Sequence, residues 1–514
     1  PDSFQDSIRN YLELTGQTEG GAKISSNTDA SGRFHTDWLN MIYPRLRLAR
    51  NLLKDEGIIF ISIDSTEVSN LRLVMDEIFG AECFIIDLIW KKRDGAPNDR
   101  NIGSVHEHIL AYGKTLSSGS LRTVAEDHLN LMPRTEKADA EYQVFKEPGG
   151  PDPRGRFRKI DTTANAKGGR DVASLHYGVR NPNTGEVCFP RDGTCWRHSQ
   201  EEMERLQADG RLYWGVSGAA TTPMRKLFIS EAKPGMTTPS ILPDMPLNQH
   251  AARELEVLFG QKSVFDTPKP TELLKLLAHL GSGPADICLD FFAGSGSFGE
   301  AVMKLNSDGD GQRRFVLVQL PEPIDESADR RIPREYCERL GVPALLSELT
   351  KERLRRAAAR IRGSEPQNGV DVGFRVFKLD TSNIRAWNPN ANDLKKSLFD
   401  HLEHIEPGRS ADDILYEILL KLGLDLCVPI EQQTIAGKQV HSVGGGVLMA
   451  CLAEDIKATE AEALALGMAA WREAQGTVGD TTAVFRDNAF QNDVAKSNLA
   501  AILEQHGIKQ VRSL

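Results

Sequence analysis

The residues with the clearest chemical potential lie in a turn between an apolar run and a helical stretch. The run from Ile287 to Leu289 predicts a buried strand, which ends in Asp290 and leads through small residues into a helix from Glu300 to Leu305. Such a turn presents backbone N–H groups and a helix N-terminus to a ligand, with no side chains in the way. We therefore expect this turn to bind a nucleotide-like cofactor.

The turn is compatible with two classes of cofactor. Gly294, Gly296 and Gly299 satisfy the G-x-G-x-x-G fingerprint of NAD or FAD binding, which is a weak signal alone. The preceding run from Asp290 to Ala293 instead resembles the D-x-F-x-G-x-G loop of amino DNA methyltransferases, which wraps the methionine part of S-adenosylmethionine. An ordinary strand–helix turn is the third alternative.

A second motif directly upstream favours the methyltransferase interpretation. Phe265 to Pro270 reads Phe-Asp-Thr-Pro-Lys-Pro, and a helical pattern follows from Thr271 to Leu280. Asp266 or Thr267 is suited to cap that helix or to meet an amino group, although a plain helix start would read the same way. The order F-x-T-P-K-P, helix, D-F-F-A-G-S-G resembles motifs X and I of these methyltransferases. A dinucleotide enzyme has no reason to carry the first motif.

The end of the next predicted strand, Arg314 to Leu320, is where a Rossmann-like sheet ordinarily places an acid for a ribose hydroxyl. Gln319 stands at that position and Glu322 follows, so both stay candidates. The candidate cofactor-binding residues are Phe265, Asp266, Thr267, Pro268, Lys269, Asp290, Phe291, Phe292, Ala293, Gly294, Ser295, Gly296, Ser297, Gln319 and Glu322.

Length and composition indicate an intracellular enzyme of two to four domains. The chain has 514 residues, of which 40% are hydrophobic, and no stretch is long enough to span a membrane. Its seven cysteines form no C-x-x-C pair, which argues against a secreted disulfide scaffold. No signal peptide is evident, and the start at Pro1 predicts a fragment of a longer protein.

Charge is distributed unevenly along an acidic chain of net charge −10. From Arg154 to Lys233 there are 14 Lys and Arg against 9 Asp and Glu, whereas from Asp371 onward the numbers are 14 against 20. A local basic excess is what phosphate contact requires, because counterion release is a local effect. An ordinary solvated surface is the alternative.

The first 114 residues predict half of an α/β fold. A helix from Trp38 to Leu53, with Asp37 as a candidate cap, precedes Gly57. The remaining predicted elements are a helix from Val68 to Phe79 and strands at Ile58 to Ile63, Phe84 to Trp90 and His108 to Tyr112. This alternation predicts a mostly parallel sheet.

Taken in order, the motifs resemble one family, the modification subunit of type III restriction–modification systems, which is a β-class adenine-N6 DNA methyltransferase. The segments that carry the resemblance, besides the motif X and I pair, are Ser31 to Leu46, Gly57 to Asp64, His106 to Gly113, Arg314 to Glu322, Gly373 to Asp380, Ser442 to Gly446 and Val484 to Asp487. They span nearly the entire chain.

The resemblance implies a permuted Rossmann-like methyltransferase domain of the α/β class, with an inserted target-recognition domain and a C-terminal α/β domain. The implied segments are a catalytic half at 1–114, the target-recognition domain at 115–246, the cofactor-binding half at 247–345, a helical dimerisation or linker segment at 346–370, and a subunit-interaction domain at 371–514. The implied reaction transfers a methyl group from S-adenosylmethionine to N6 of a flipped adenine in duplex DNA.

Partners follow from the same resemblance: double-stranded DNA, a second copy of the chain, and the restriction helicase–nuclease subunit, in the cytoplasm of a prokaryote. The Gly- and Pro-rich insert, with Trp196, Tyr213 and Trp214 among arginines, fits DNA recognition. The candidate DNA-binding residues are Arg154, Arg156, Arg158, Lys159, Lys167 and Arg170.

The chain departs from the family at the catalytic motif. Members carry D-P-P-Y, in which the acid and a backbone carbonyl accept hydrogen bonds from the target amino group and the ring stacks on the base. No Pro-Pro dipeptide occurs here, and in the family the motif precedes the segment that resembles Pro1 to Phe4. We therefore expect the catalytic residues upstream of residue 1 and an inactive fragment. The alternative is a non-catalytic module that binds S-adenosylmethionine and DNA and directs a partner nuclease.

Other chemistries have weaker support. Cytosine C5 methylation needs a Pro-Cys nucleophile, and no such dipeptide occurs. A zinc site at Cys188, Cys195 and His198 lacks an evident fourth ligand, and His106 with His108 is explained by the resemblance, so we expect no metal.

The carboxyl-terminal third is expected to be non-catalytic. Leu346 to Ile361 predicts a helix, either a core helix or, by the resemblance, one that pairs two subunits. Beyond Asp371, a helix from Asp412 to Leu422 and a strand from Gly445 to Leu452 indicate a separate folded unit.

Overall fold

A computed structural model describes residues 18–19, 22–23, 34–96, 101–117, 123–165, 173–242, 244–327, 330–364, 370–385 and 405–514. The chain divides into two compact units, residues 1–373 and residues 374–514. The α/β fold class is confirmed, because both units combine helices with sheets.

The amino-terminal part of the first unit is built on a three-stranded sheet. Its elements are β1 (Thr18–Glu19), β2 (Ala22–Lys23), α1 (Phe34–Leu52), β3 (Ile58–Ile63), α2 (Val68–Phe79), β4 (Phe84–Lys91) and β5 (His106–Gly113). The strand order is β3-β5-β4. Asp37 lies inside the first turn of α1 rather than at its cap, because the helix begins at Phe34.

The prediction of a mostly parallel sheet is wrong for this part of the chain. β5 lies between β3 and β4 and pairs antiparallel with both. The helix α2 provides the crossover that lets β4 run parallel to β3. The described residues between β4 and β5 contain no helix, so β5 returns in the opposite direction.

The region between β5 and residue 247 consists of short elements around two small apolar clusters. They are α3 (Val124–His128), β6 (Met132–Pro133), α4 (Glu136–Ala140), β7 (Phe157–Asp161), β8 (Thr163–Asn165), β9 (Val179–Arg180), β10 (Val187–Cys188), β11 (Thr194–Trp196), α5 (Gln200–Ala208), β12 (Leu212–Tyr213), β13 (Met224–Phe228) and β14 (Gly235–Met236). Trp196 and Trp214 lie in one cluster and Phe157 and Tyr213 in the other. The predicted aromatics are therefore mainly core residues of the insert.

The rest of the first unit contains a parallel strand pair flanked by helices. The elements are α6 (Asn248–Phe259), α7 (Thr271–Gly281), β15 (Ile287–Asp290), α8 (Ser297–Ser307), β16 (Arg314–Leu317), α9 (Arg331–Leu340) and α10 (Leu346–Gly363). β15 and β16 are parallel, with Asp290 opposite Leu317. This strand–turn–helix–strand arrangement is Rossmann-like.

Helix α7 connects the strand pair to the amino-terminal sheet. Its residues Leu273, Leu276 and Leu277 pack in one cluster with Leu88 and Ile109 of that sheet. Its Ala278 packs instead with Cys288 of β15. The ammonium of Lys54, before β3, lies 2.8 Å from Asp286, before β15. β3 and β15 therefore belong to the same α/β layer arrangement of the first unit, and their first residues lie at the same end of it.

The second unit is a three-layer α/β structure. Its elements are α11 (Ala411–Leu422), β17 (Ile430–Ile435), β18 (Lys438–Val443), β19 (Leu448–Cys451), α12 (Ala458–Ala474), β20 (Thr482–Phe485), α13 (Asp493–Gln505) and β21 (Gln510–Ser513). The sheet order is β17-β18-β19-β20-β21. α12 and α13 pack in one cluster and α11 in another, each with residues of the sheet.

Candidate functional site

The turn after β15 is held by hydrogen bonds to its two flanking strands. The N–H of Phe292 donates to Oδ1 of Asp290 (3.0 Å), and the N–H of Ala293 donates to the carbonyl of Val318 (3.1 Å). The N–H of Gly294 donates to Oε1 of Gln319 (2.8 Å). The turn is therefore a rigid element before any ligand arrives.

The three glycines of the turn have different roles. Gly294 and Gly296 have positive φ angles of 50° and 78°, which side chains disfavour. Gly299 is required by packing, since a Cβ there would lie 2.7 Å from Leu354 and 2.9 Å from Leu317. The G-x-G-x-x-G spacing thus reflects turn geometry and helix packing, and it does not separate the two cofactor classes.

The N-terminus of α8 has no side-chain cap, and Gly296 and Ser297 at its start are buried while Phe298 is half-buried. Gly296 is the residue before the helix, and no side chain caps its first turn. The N–H groups of a first helical turn have no intrahelical partner, and together they form a site for an anion or a polar group.

Asp290 is a half-buried acid without an ion-pair partner among the described residues. Burial raises the pKa of its carboxyl, and the hydrogen bond from the N–H of Phe292 only partly opposes this effect. The described residues provide no ion pair for this carboxylate. A group with this character beside an open helix terminus suits a ligand that carries a positive charge.

The structure brings the upstream motif next to the turn. A Cβ on Gly294 would lie 3.9 Å from the ring of Phe265. Pro268 is buried, whereas Asp266 is exposed and lies 3.5 Å from Arg330. Thr267 has a φ of 41°, an unusual value for a β-branched residue. Backbone strain of this kind clusters at binding sites.

Strain at Thr267 leads to a stability prediction. Replacing Thr267 with glycine removes a conformational penalty of about 1–3 kcal/mol, against which glycine adds about 0.4–1 kcal/mol of unfolded-state entropy. We expect Thr267→Gly to stabilise the first unit by about 1 kcal/mol and Thr267→Ala to give no gain, as measured by urea unfolding. A loss of stability on Thr267→Gly would show that the threonine side chain makes a stabilising contact.

Lys269 is held by a buried acid of β5. Its ammonium lies 2.6 Å from Glu107, which also binds Lys92 at 3.2 Å. Burial alone would raise the pKa of Glu107, but the two ammonium groups outweigh it and lower that pKa. Two cations around one carboxylate leave a net positive charge, which suits an anionic group of a ligand. The sequence analysis missed Glu107 because it read the segment His106 to Gly113 only as a strand motif.

The two ribose candidates differ in their environment. Gln319 is engaged by the turn, because its Oε1 accepts from Gly294 and its Nε2 donates to the carbonyl of Leu320 (3.2 Å). Glu322 is exposed, and its carboxylate has no partner among the described residues. The carboxylate is therefore the freer acceptor for a hydroxyl pair.

Helix α10 contributes residues that the sequence analysis did not select. Thr350 donates through its hydroxyl to the carbonyl of Gly294 (2.6 Å). Arg353 is 1% exposed and pairs with Glu300 of α8 at 2.8 Å. The apolar residues of α10 face the first unit, as the core-helix alternative predicted. The buried set is Leu349, Thr350, Arg353, Leu354, Ala357 and Ala358.

Helical spacing places position 353 on the buried face of α10, between Leu349 and Ala357, but arginine is a residue type that argues against burial. Its neighbours Arg355, Arg356 and Arg360 are exposed or only partly buried, and an arginine-rich helix predicts a solvated face. Glu300, an acid in the first turn of a helix that otherwise packs as core, is a further signal of a buried ion pair.

The candidate DNA-binding residues do not form a uniform surface. Arg154 is engaged internally, since it bonds to Asp152 and to the carbonyls of Asp209 and Gly210. Arg158 pairs with Glu141 at 3.0 Å. Arg156 is exposed without a hydrogen bond or ion pair among the described residues, and the ammonium of Lys159 lies 4.3 Å from the ring centroid of Phe145. Lys167 and Arg170 lie outside the described residues.

A groove beside β7 brings some of these cations together with acids. It encloses about 590 Å³. Its lining residues are Glu141, Gln143, Phe145, Arg158, Lys159, Ile160, Asp161 and Arg197. Such a mixture of donors and acceptors matches the kinds of group that read base edges.

Comparison with known proteins identifies the family. Residues 21–316 match the N6/N4 DNA methylase family. The chain belongs to this family. The match includes the motif from Phe265 to Pro270, the turn after β15 and most of β16.

Several curated relatives are restriction–modification proteins. The chain is 34% identical over 385 residues to the Mod subunit of the type III restriction-modification enzyme StyLTI of Salmonella typhimurium. The aligned residues cover 74% of this chain and 54% of the relative. It is 29% identical over 455 residues to the EcoP15I Mod subunit of Escherichia coli, and the aligned residues cover 84% of this chain and 67% of that relative. A type II methyltransferase of Klebsiella pneumoniae, M.KpnI, is 29% identical over 320 residues, covering 59% and 71%. The chain thus spans about half the length of the Salmonella relative.

The described residues give no support to the metal alternatives. They contain no group of three or more His, Cys, Asp or Glu side chains arranged to hold a metal ion. Cys188 and Cys195 are buried, and burial lowers the pKa of His198. Asp87 binds His108 at 2.8 Å, which gives that histidine a structural partner. No described helix is long and apolar enough to cross a membrane.

Proposed function

We propose that the chain belongs to a type III modification subunit, which transfers a methyl group from S-adenosylmethionine to N6 of adenine in duplex DNA. The observation that carries this proposal is the contact between the motif Phe265–Lys269 and the turn Asp290–Gly299. This contact lies in a member of the DNA methylase family whose relatives include Mod subunits. Family membership also favours S-adenosylmethionine over a dinucleotide at this turn.

The residues of the turn fit the charges of S-adenosylmethionine. Asp290 is a half-buried carboxylate that lacks a cation, which suits the ligand's ammonium group. Lys269 and Lys92 together carry one positive charge more than Glu107 neutralises, and this net positive charge suits the ligand's carboxylate. Glu322, rather than Gln319, is proposed for the ribose hydroxyls. When bound, the cofactor supplies an electrophilic methyl group, and the protein's task is to orient it and to exclude water.

Titration calorimetry tests cofactor binding directly. We expect the chain to bind S-adenosylmethionine and not NAD or FAD, because the turn and the Lys269 site fit a zwitterionic amino acid group. Failure to bind S-adenosylmethionine, together with binding of a dinucleotide, would refute this assignment.

We propose that the insert, residues 115–246, contacts DNA through Arg156, Lys159 and the groove beside β7. Free cations contact phosphates, whereas the mixed donors and acceptors of the groove suit base edges. Lys167 and Arg170 stay predictions. Arg154 is a weak candidate because its guanidinium is bound within the protein.

The sheet supports the proposal that the catalytic motif lies on a further strand. Among the described residues, β3 and β15 each pair on one side only, although α7 packs on both sheets and Lys54 bridges their starts. Unpaired edges of this kind are unfavourable within a fold. A strand that ends in D-P-P-Y would pair with both edges and place its acid and tyrosine beside Asp290 and Asp64.

A methylation assay tests this arrangement. We expect residues 1–514 alone to transfer methyl groups from radiolabelled S-adenosylmethionine to DNA at least about 10³-fold more slowly than a chain extended with the family's D-P-P-Y segment, because base positioning supplies much of the rate. Full activity of the present chain would show that the catalytic motif is misplaced.

A non-catalytic specificity module is the second candidate, favoured only by the missing D-P-P-Y. Methylome sequencing of a host that carries the intact gene separates the two, since the module would bind S-adenosylmethionine and leave adenine unmodified.

We further propose that the chain forms a dimer and binds a restriction subunit, with residues 374–514 as the contact region. The buried face of α10 is excluded from such a contact because it already packs within the first unit.

A further inference from the structure

Arg353 joins three separate parts of the cofactor site. Its Nε donates to Glu300 of α8 (2.8 Å), and its Nη1 donates to the hydroxyls of Ser295 (2.9 Å) and Ser297 (2.5 Å) in the turn. Its Nη2 donates to the hydroxyl of Thr271 at the start of α7 (3.2 Å). One guanidinium thus connects the turn, α8 and the end of the upstream motif.

These contacts are almost completely removed from water. Arg353 is 1% exposed, Glu300 3% and Thr271 0%. The hydroxyl of Thr271 donates in turn to Glu254 (2.8 Å), and Lys304 lies 3.0 Å from Glu300. Glu300 thus pairs with both Arg353 and Lys304, and Glu254 is held by Thr271, so each ion of the cluster has an ionic or hydrogen-bond partner, as burial requires.

The chemistry of arginine determines how the serines are used. A guanidinium only donates hydrogen bonds, so both serine hydroxyls accept from it, and they also bond to each other (2.9 Å). Ser295 and Ser297 are 7% and 4% exposed. Their hydroxyls are therefore engaged by the protein, and they can contribute to cofactor binding only through their backbone.

We propose that Arg353 is a positioning residue for the cofactor, which fixes the first turn of α8 against the start of α7 so that the free backbone N–H groups meet the ligand. The proposal rests on the proposed binding of S-adenosylmethionine. A lysine cannot replace arginine here, because its ammonium is a single point and cannot reach acceptors along three directions in one plane.

Calorimetry with S-adenosylmethionine on the complete chain tests the proposal. We expect Arg353→Lys to weaken binding at least tenfold and the pair Ser295→Ala with Ser297→Ala to weaken it about three- to tenfold. The matched control is Arg356→Lys on the same helix, whose guanidinium pairs with Glu352 at 2.7 Å, and which should stay within twofold. Binding of duplex DNA by each variant should also stay within twofold, which a general loss of structure would not allow.

The outcomes separate the two proposals. Cofactor binding by Arg353→Lys equal to that of the unchanged chain overturns the positioning role and leaves the proposed function intact. An unchanged chain that does not bind S-adenosylmethionine overturns both. If Arg353→Lys fails to fold, the serine pair decides, because it keeps the ion pair with Glu300. Unaltered binding by the serine pair would then refute the role.

Discussion

Asp290→Asn is expected to weaken S-adenosylmethionine binding by about 100-fold while the protein melts no lower than the unchanged chain. The carboxylate is half-buried beside the turn without a cation, and desolvation raises its pKa, so its charge is unfavourable until a ligand ammonium neutralises it. Asparagine keeps the shape and the acceptor for the N–H of Phe292 but removes the charge. A charge-assisted hydrogen bond in a desolvated site accounts for a loss of about 1.5–3 kcal/mol, which corresponds to roughly 10- to 150-fold.

The pH dependence of binding follows from the same carboxylate. Because burial raises the pKa of Asp290 above the usual value for an aspartate, a proton competes with the ligand ammonium at a higher pH than usual. Affinity should fall as the pH decreases through that raised pKa, and the variant Asp290→Asn should lack this dependence.

Without ligand, the stability of the folded chain depends on pH in the opposite direction to cofactor affinity. The folded chain holds the proton more tightly than the unfolded chain, so stability decreases as the pH rises through the folded pKa. Removal of the charge at neutral pH therefore does not destabilise the protein, which separates a binding defect from a folding defect.

Asp286→Asn is the matched control for Asp290→Asn. Asp286 lies just before the same strand and pairs with Lys54 in a partly exposed contact, so we expect less than a twofold change in cofactor affinity. Calorimetry between pH 5 and pH 8 measures both variants. If Asp290→Asn binds S-adenosylmethionine as tightly as the unchanged chain, the carboxylate does not contact the ligand's cation.

The sequence predicted what local pattern determines. Strand β3 was predicted with its observed bounds, as was α2, because continuous apolar runs and helical spacing define such elements. The turn and the motif before α7 were selected from residue order alone, and their proximity in space followed from the family resemblance. The helical content of α10 was likewise predicted from spacing.

Long-range contacts were not predictable in the same way. The antiparallel course of β5 depends on the connection between β4 and β5. Asp94-Gly95 and Pro97 mark a turn there, but turn residues alone do not determine which strands pair. Arg353 and Glu300 lie 53 residues apart, and Glu107 and Lys269 lie 162 apart. Polar pairs of this separation leave no periodic trace in one sequence, so the partners of these charged residues were not predicted.

Glu107 is the residue whose loss should most destabilise the first unit. Glu107→Ala leaves the ammonium groups of Lys269 and Lys92 without their shared carboxylate, in surroundings where their side chains are 26% and 16% exposed. Removal of one partner of a buried ion pair costs about 3–5 kcal/mol. We expect a loss of that size in the urea unfolding of the first unit, with the second unit's transition as an internal reference.

The contribution of Glu107 should also depend on pH in a definite direction. Lys269 and Lys92 hold its pKa below the ordinary glutamate value despite burial, so its stabilising effect is present above the unfolded pKa. It disappears as the pH falls through the folded pKa, in the acidic range below about pH 4. The difference in stability between the unchanged chain and Glu107→Ala should therefore narrow below that pH.

Glu56→Ala is the control for this variant. Its carboxylate lies 3.7 Å from Lys54 and is 39% exposed, and exposed pairs contribute about 0–1 kcal/mol. A loss on Glu107→Ala no larger than on Glu56→Ala would contradict the assignment of Glu107 as the anchor of Lys269. A large loss accompanied by unchanged cofactor affinity in the folded fraction would instead restrict Glu107 to folding, because the lysine that it orients would then not contact the ligand.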